Sequence, residues 1–342
     1  MPNKTTIKDI AEAAGVSIGS VHMALNDKSG VSEATRERIK RCAEDLNYKP
    51  NILASNLRRE TRSLAVILPP RDSVSRLYYD YMWQAIEDFE PLAVDYNLKI
   101  SSFSCDESGN VPGLDISRFS GIVAVGNTEY INAASFEEIE EADIPLILVD
   151  TDVPESGRLC CVYADTRMAG NATAELLLNS MHRLDGNILV FGAGPSRVNR
   201  QQTEDALCSM LKESGLESRT LLMDFDSADD NCISKLVDTL KKNVISGACA
   251  VNSRSTLALA EAIQKADRVG FFPVIGNGLF PESREHLENG TLTALVHKNP
   301  YEQCYRALSI LTDMLVKDIA PSSDVEPVQI DIVLRSLVGQ YA

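Results

Sequence analysis

The chain has 342 residues, 44% hydrophobic and 24% charged, with a formal net charge of −16. That length suits two or three packed units rather than one, and no run of about 18 apolar residues is present to span a bilayer. The opening "MPNKTTIKDI" lacks the apolar stretch of a signal peptide, so a cytoplasmic protein with no membrane partner is expected.

Charge is divided unevenly. Residues 1–62 hold 11 Lys and Arg against 8 Asp and Glu, net +3, while the remainder holds 22 against 41, net −19. An acidic body repels nucleic acid, so any phosphate contact is confined to the first 62 residues. The eight cysteines form no CxxC and no His-flanked pair, which predicts buried free thiols rather than a metal or redox site.

The first 48 residues read as three helices. Thr6 and Asp9 form a capping box ahead of Ile7, Ile10, Ala11 and Ala14, which share one face until Gly15 ends the run. Ser17 caps a second helix to about Leu25, with Val21, Ala24 and Leu25 inward, and "NDKSG" is a loop. Ser32 caps a third, in which Ile39, Cys42, Ala43 and Leu46 recur at helical spacing until Tyr48. Two short helices about a glycine turn with a longer third are what a helix-turn-helix unit requires. A helical cap on the next domain is the alternative.

The stretch "TIKDIAEAAGVSIGSVHMALNDKSGVSEATRERIKRCAEDLNYKPN" resembles the DNA-binding headpiece of the LacI/GalR family of bacterial transcription regulators. The resemblance continues more loosely through the rest of the chain, as a periplasmic-binding-protein-like effector domain of the ribose-binding type. It implies that the second helix enters the major groove with Ile18, Gly19 and Met23 at the reading positions. None of these makes bidentate hydrogen bonds to a base, but Ile18 or Met23 suits a thymine methyl, and Gly19 lets the backbone approach. Ser17, Ser20 and His22 are expected to hold phosphates, His22 being equally readable as a surface residue. Thr6, Asn26 and Ser32 complete the headpiece contacts.

Residues 49–62 follow as a linker. Pro50 ends the third helix, Asn51 can cap a new one, and Ile52, Leu53, Ala54 and Leu57 give it an apolar face beside Arg58 and Arg59. Such a segment is too short to be stable alone. The resemblance makes it a hinge helix that forms when two chains meet on DNA. Leu57 would then be a minor-groove wedge, Leu53 and Ala54 the contact with the partner chain, and Arg58 a groove or phosphate contact. Otherwise it is a linker whose Leu57 packs on the body.

From Ser63 onward, apolar β-branched runs alternate with helical stretches: "SLAVILPP", "GIVAVG", "PLILVD", "NILVFG", "GACAVN" and "FPVIGN". Buried strands between helices indicate parallel sheets covered on both faces. The expected fold is therefore an all-α helix-turn-helix headpiece plus an α/β two-lobed domain, 63–342, with parallel sheets. The resemblance implies a first lobe of about 64–162 and 293–322, and a second of about 163–292 and 323–342.

Ligands of open α/β sheets bind beyond the carboxyl ends of the strands. The resemblance points to Tyr78 and Tyr79 as stacking residues, although packing at a lobe or dimer surface explains them equally. Asn127, Asp150 and Asn252 stand at strand ends, and Asn277 and Arg200 complete the set. Asp165 is either a ligand contact or a helix cap. Three positions depart from the family pattern: Thr203 replaces an arginine, Gly278 a carboxylate and Lys298 a glutamine. Loss of a charged clamp argues against a simple sugar. Lys298, with Arg197 and Arg200, suits an anionic ligand such as a sugar phosphate or acid.

No nucleophile–base pair appears, and "GAGPSR" lacks the third glycine of a dinucleotide fingerprint. No catalytic group, cofactor or metal is expected. The reading is a sequence-specific DNA-binding transcription regulator, a repressor, acting in the cytoplasm on the nucleoid. Its expected partners are a near-palindromic operator, a second copy of the chain, and a carbohydrate or carbohydrate derivative bound between the lobes. The alternatives are a regulator whose cleft has lost its effector, and a solute-binding protein.

Overall fold

The computed structural model describes residues 6–25, 29–46, 60–71, 76–106, 109–126, 133–183, 185–192, 198–224 and 231–341, without the side chains of 133–134 and 198–200. Two compact units divide the chain, Met1–Glu60 and Thr61–Ala342.

The first unit contains α1 (Ile7–Ala14), α2 (Ile18–Leu25) and α3 (Glu33–Asp45). The capping box forms as expected: the Thr6 N–H donates to Asp9 Oδ2 at 2.7 Å, and the Asp9 N–H donates to Thr6 Oγ1 at 3.4 Å. Gly15 closes the helix at φ 61°, where a Cβ would be strained. Ile10, Ala11, Ala14, Val21, Ala24, Ile39 and Ala43 make the core. Its many alanines let three short helices approach closely. Arg36 of α3 reaches back to the carbonyls of Met23 and Ala24, at 3.4 and 3.3 Å, and so satisfies the open end of α2. The third helix is described over Glu33–Asp45, and its expected end at Tyr48 lies outside the described residues.

The second unit opens with β1 (Arg62–Leu68), α4 (Arg76–Asp95), β2 (Leu98–Ser104), β3 (Gly121–Val125), α5 (Ala133–Glu141), β4 (Leu146–Val149) and β5 (Cys160–Tyr163). Next come α6 (Thr166–Ser180), β6 (Asn187–Phe191), α7 (Val198–Glu213), β7 (Thr220–Met223), α8 (Cys232–Lys242) and β8 (Ile245–Ala250). The last group is α9 (Ser253–Lys265), β9 (Val274–Asn277), α10 (Pro281–Glu288), β10 (Ala294–His297), α11 (Pro300–Lys317), β11 (Val325–Pro327) and β12 (Asp331–Leu334). Two six-stranded sheets result, in the orders β11-β5-β4-β3-β1-β2 and β12-β10-β9-β8-β6-β7. β12 runs antiparallel to β10, and the other pairs are parallel. Central strands are buried along their whole length, including β3, β4 and β8. Their apolar runs are therefore continuous rather than alternating.

The chain passes between the sheets three times, after β5, after β10 and after β11. This differs from the expected lobe boundaries. β10 was placed with the first lobe but completes the second sheet, pairing Ala294 with Ile275 and Leu334. β11, placed with the second lobe, pairs Val325 with Cys161 in the first. The crossing thus falls at Lys298 and Asn299, where Asn299 takes φ 47° and Pro300 starts α11. Helix α11 then packs on the first sheet, with Leu311 filling the space that a Cβ on Gly121 would need. Among the described residues, no helix is long and apolar enough to cross a membrane. Six of the eight cysteines are buried, and Cys42 and Cys208 are half-buried.

Candidate functional site

In the helical unit, α2 contains no acidic residue. The Ser17 Oγ accepts the Ser20 N–H at 3.1 Å and lies 2.9 Å from the Ser20 hydroxyl, so the two serines engage each other where the helix begins. Ile18 is 54% exposed, unusual for a side chain of that size. Around Gly19 the space is open, since a Cβ there would meet nothing closer than Ser17 Oγ at 3.7 Å. His22 is exposed. Met23 is half-buried, with its sulfur 2.7 Å from where a Cβ on Gly30 would stand. Ile18, Gly19 and His22 therefore form an outward surface, and Met23 is partly committed to the loop before α3. Ser32 caps α3 by accepting the Thr35 N–H at 3.3 Å. Asn26, Asn51, Leu53, Ala54, Leu57 and Arg58 lie outside the described residues.

In the two-lobed unit, the structure brings Tyr78, Tyr79, Asp150 and Lys298 together. The two tyrosines stand in the first turn of α4 with their rings edge to face at 5.2 Å. Asp150 follows β4 directly, in the left-handed region at φ 70°, which turns its side chain out of the strand path. Its Oδ2 accepts from the Tyr79 hydroxyl at 2.9 Å and from Thr151 Oγ1 at 3.4 Å. Lys298 places its Nζ 5.5 Å from the centre of the Tyr78 ring, within the range of a cation–π contact. Burial lowers the Lys298 pKa, an effect opposed in part by the charge of Asp150. Burial, followed by that same carboxylate charge, holds the Tyr78 phenol well above its ordinary value.

Gln303, not anticipated from the sequence, ties this cluster together. Its Nε2 donates to the Tyr78 hydroxyl at 3.0 Å and to the Lys298 carbonyl at 2.7 Å. The side chain is fully buried, and its Oε1 has no hydrogen-bond partner. A glutamine one turn inside a helix offers no spacing signal. The nearby Pro300, at the first position of that helix, was the available clue.

Asp150 also faces a cavity of about 300 Å³, lined in addition by Thr151, Asp152, Asp165, Arg167 and Gln202. Asp165 caps α6, with one oxygen accepting the N–H groups of Arg167 and Met168 at 2.9 and 3.0 Å. Both of its anticipated roles are thus compatible with its position. Gln202 accepts from Thr166 Oγ1 at 2.8 Å. Asp152 is held by Arg158, which also reaches Asp324 at 3.8 Å. The lining is polar and mixed in charge, with the carboxylates of Asp150, Asp152 and Asp165 beside the cation of Arg167. Arg197 and the Arg200 side chain lie outside the described residues, as does Asn127.

The remaining candidates lie in the second lobe. Asn252 caps α9, its Oδ1 accepting the Ser255 N–H at 2.9 Å. Asn277 is 1% exposed, with its amide donating to Ala250 O at 2.7 Å and Thr173 Oγ1 at 3.3 Å. These bonds join β9 to α6 and β8, and the Asn277 Oδ1 has no partner. Thr203 is buried, and its carbonyl lies against Gly170. Gly278 has φ 89°, and a Cβ there would stand 2.3 Å from Ser253 Oγ. A side chain at that position would be strained by the left-handed backbone and would have to displace the Ser253 hydroxyl.

Two family models match the chain. One, described as a periplasmic binding protein domain, covers residues 118–318. The other, described as bacterial regulatory proteins of the lacI family, covers residues 6–51. The chain is 27% identical over 261 residues to the HTH-type transcriptional regulator pepR1 of Lactobacillus delbrueckii subsp. lactis, spanning 74% of each chain. It is 29% identical over 208 residues, 58% of each chain, to the HTH-type transcriptional regulator DegA of Bacillus subtilis. Against catabolite control protein A of Priestia megaterium, identity is 24% over 247 residues, 70% of each. Among solved structures, a protein from Bacteroides fragilis described as a LacI transcriptional regulator superposes with a TM-score of 0.70 at 16% identity, covering 83% of this chain and 100% of that one. GanP, a glucose-galactose binding protein from Geobacillus stearothermophilus, gives 0.64 at 17% identity, covering 81% and 99%. At those identities the structures establish the shared two-lobed fold.

Proposed function

The chain belongs to the LacI family of bacterial regulatory proteins, and from that membership we propose a homodimeric repressor whose hold on its operator is set by a carbohydrate or carbohydrate derivative between the lobes. It is a DNA-binding transcription regulator, working in the cytoplasm on the nucleoid. Two headpieces take adjacent half-sites of a near-palindromic operator. Ser17, Ser20 and the free N–H groups at the start of α2 hold phosphates and fix the register. Ile18, exposed at the same end, meets a thymine methyl, and Gly19 lets the backbone come close. Thr6, His22, Asn26 and Ser32 add backbone contacts. Asn51, Leu53, Ala54, Leu57 and Arg58 act as the hinge, with Leu57 as the wedge. Opening a base step costs on the order of a few kcal/mol, offset by the contacts that the bent duplex allows.

The observation that carries the effector reading is the Tyr78–Tyr79–Asp150–Lys298 cluster, located where the chain crosses between the lobes. A ligand bound there touches both lobes at once, Asp150 and the tyrosines on one side and Asp165, Arg200 and Asn252 on the other, while Asn277, buried and bonded to Ala250 and Thr173, braces the strands behind them rather than meeting the ligand. Asn127 completes the first side. A ligand shifts the equilibrium between lobe arrangements only through its differential affinity for them.

Operator selection from random DNA, with and without a carbohydrate panel, tests the proposal. The expected outcome is one palindromic motif whose recovery changes with a panel member, and a response that disappears in Asp150→Ala. Selection of the same motif with no ligand response at any concentration would favour a second reading, a regulator without a small-molecule effector. Gly278, where a side chain would be strained by the backbone and would meet the Ser253 hydroxyl, is the feature that favours it.

A further inference from the structure

The cavity at the first crossing is rich in hydrogen-bond acceptors and poor in donors. Asp150, Asp152 and Asp165 line it, and ionised carboxylates only accept. The hydroxyls of Thr151 and Thr166 direct their protons to Asp150 Oδ2 and Gln202 Oε1, so toward a ligand they too accept. Among the described lining residues, the donors that remain are the Gln202 amide, the Tyr163 phenol and the exposed Arg167. A helix start such as that of α6 favours an anion, but the chain's own carboxylate occupies it. One oxygen of Asp165 accepts the N–H groups of Arg167 and Met168, and the other makes no hydrogen bond among the described residues. Asp152 is matched by Arg158, whose side chain is 7% exposed. Lys298, the residue that suggested an anionic ligand, is not part of this lining, and its ammonium lies over the ring of Tyr78.

We propose that the effector is an amino sugar, and that its protonated amine is held in this cavity by Asp150 and Asp165. This deepens the effector reading and rests on it. A sugar hydroxyl brings one proton and two lone pairs, so in this lining its lone pairs find few donors. An ammonium brings three protons and no lone pair, and its charge-assisted bonds to carboxylates are roughly twice as strong as those of a neutral donor. The two carboxylates follow neighbouring strands. β4 and β5 pair at Val149 and Val162, and the Asp150 N–H donates to the Val162 carbonyl at 3.1 Å, so strand pairing fixes where both emerge. Asp150 belongs to the first lobe and Asp165 opens the second, so an ammonium bound by both spans the first crossing. A volume of about 300 Å³ is at the small end for ligand sites and suits a single sugar ring.

The test is calorimetry on the full-length protein with D-glucosamine, D-galactosamine and D-mannosamine, each beside its parent hexose and its N-acetyl derivative. At least one amine should bind about tenfold or more tightly than its hexose, the worth of a charge-assisted bond. Its N-acetyl form, which carries no charge, should bind no better than the hexose. Asp165→Asn keeps the helix cap and removes the charge, so this variant should melt like the parent protein and lose the preference for the amine. A preference that survives Asp165→Asn undiminished would overturn the proposal. Equal binding of amine and hexose would also overturn it, while leaving the cleft reading intact. If none of these sugars binds, the amino-sugar proposal fails, and operator selection with the wider carbohydrate panel decides the cleft reading separately.

Discussion

The Tyr79 hydroxyl donates to Asp150 Oδ2 at 2.9 Å, joining the first helix of one lobe to the loop that follows β4. Tyr79 is 4% exposed and Asp150 half-buried, so the ring packs in the core while its hydroxyl orients a carboxylate in the cleft. Tyr79→Phe keeps the ring and removes the donor. Ligand affinity at the cleft should fall about tenfold, roughly the 1.4 kcal/mol of one hydrogen bond to a charged group, with the melting temperature little changed. Calorimetry and thermal melting check both, and unchanged ligand affinity would show that Tyr79 does not orient Asp150.

Ile18 and Met23 were paired as reading positions, but their burial separates them. Ile18→Ala should leave stability within about 0.5 kcal/mol and alter preference only at A·T pairs. Met23→Ala should change both, because its sulfur packs against the turn at Gly30. Operator selection beside melting of each variant distinguishes the two. Uniform weakening on all DNA by Ile18→Ala would remove it from base reading.

Leu57→Ala should cost specific operator affinity on the order of a few kcal/mol while leaving nonspecific binding nearly intact. Titrations of operator and scrambled DNA at one salt concentration measure the difference. Equal losses on both would return the segment to a plain linker.

Restoring a carboxylate by Gly278→Asp should not restore a sugar site. The added Cβ meets Ser253 Oγ at 2.3 Å and sits at φ 89°, for a destabilisation of about 1–3 kcal/mol. Adding Ser253→Gly should recover the steric part and leave the backbone part. A melting temperature for Gly278→Asp equal to the parent's would contradict this geometry.

His297 gives the second lobe an acid limit. Its Nδ1 accepts the Leu279 N–H at 3.2 Å, and Tyr81 and Tyr341 pack around the ring. Burial lowers its pKa to about 4, while Asp331 pulls the other way and Lys298 adds to the lowering. The unfolded chain titrates near 6.5, so between those values it binds more protons than the folded chain. Stability is whole above about pH 6.5 and declines as pH falls through 4, by about 3 kcal/mol in all. His297→Gln, which can still accept from Leu279, should flatten the dependence of melting temperature on pH over that window.

The central strands were legible because residues buried on both faces leave unbroken apolar runs, as in Leu64–Leu68 and Ile122–Val125. β2 and β7 were not: they lie at sheet edges, so "LKISSFS" carries polar residues toward solvent and loses the signal. Pairing partners decided which lobe owns β10 and β11, and no local composition records a partner that lies outside the segment itself, as Ile275 does for Ala294 and Cys161 for Val325. The same limit applied at the cleft. Tyr78, Tyr79 and Asp150 could be named from strand and helix ends, whereas the contact of Lys298 with Tyr78, and the two bonds of Gln303, depend on where the second crossing falls.

Asn299 ties the second crossing to the third, its Nδ2 donating to Gln329 O at 2.8 Å and to Asp331 Oδ2 at 2.9 Å. Lys298 and Asp165 stand at crossings themselves, so a ligand held by them sits close to the axis about which the lobes would swing. A push applied near a pivot has a short lever arm, yet a small rotation there becomes a large sweep at the far rim of each lobe. A substitution at Asn299 should therefore change the amplitude of that sweep, even though Asn299 need not touch the ligand.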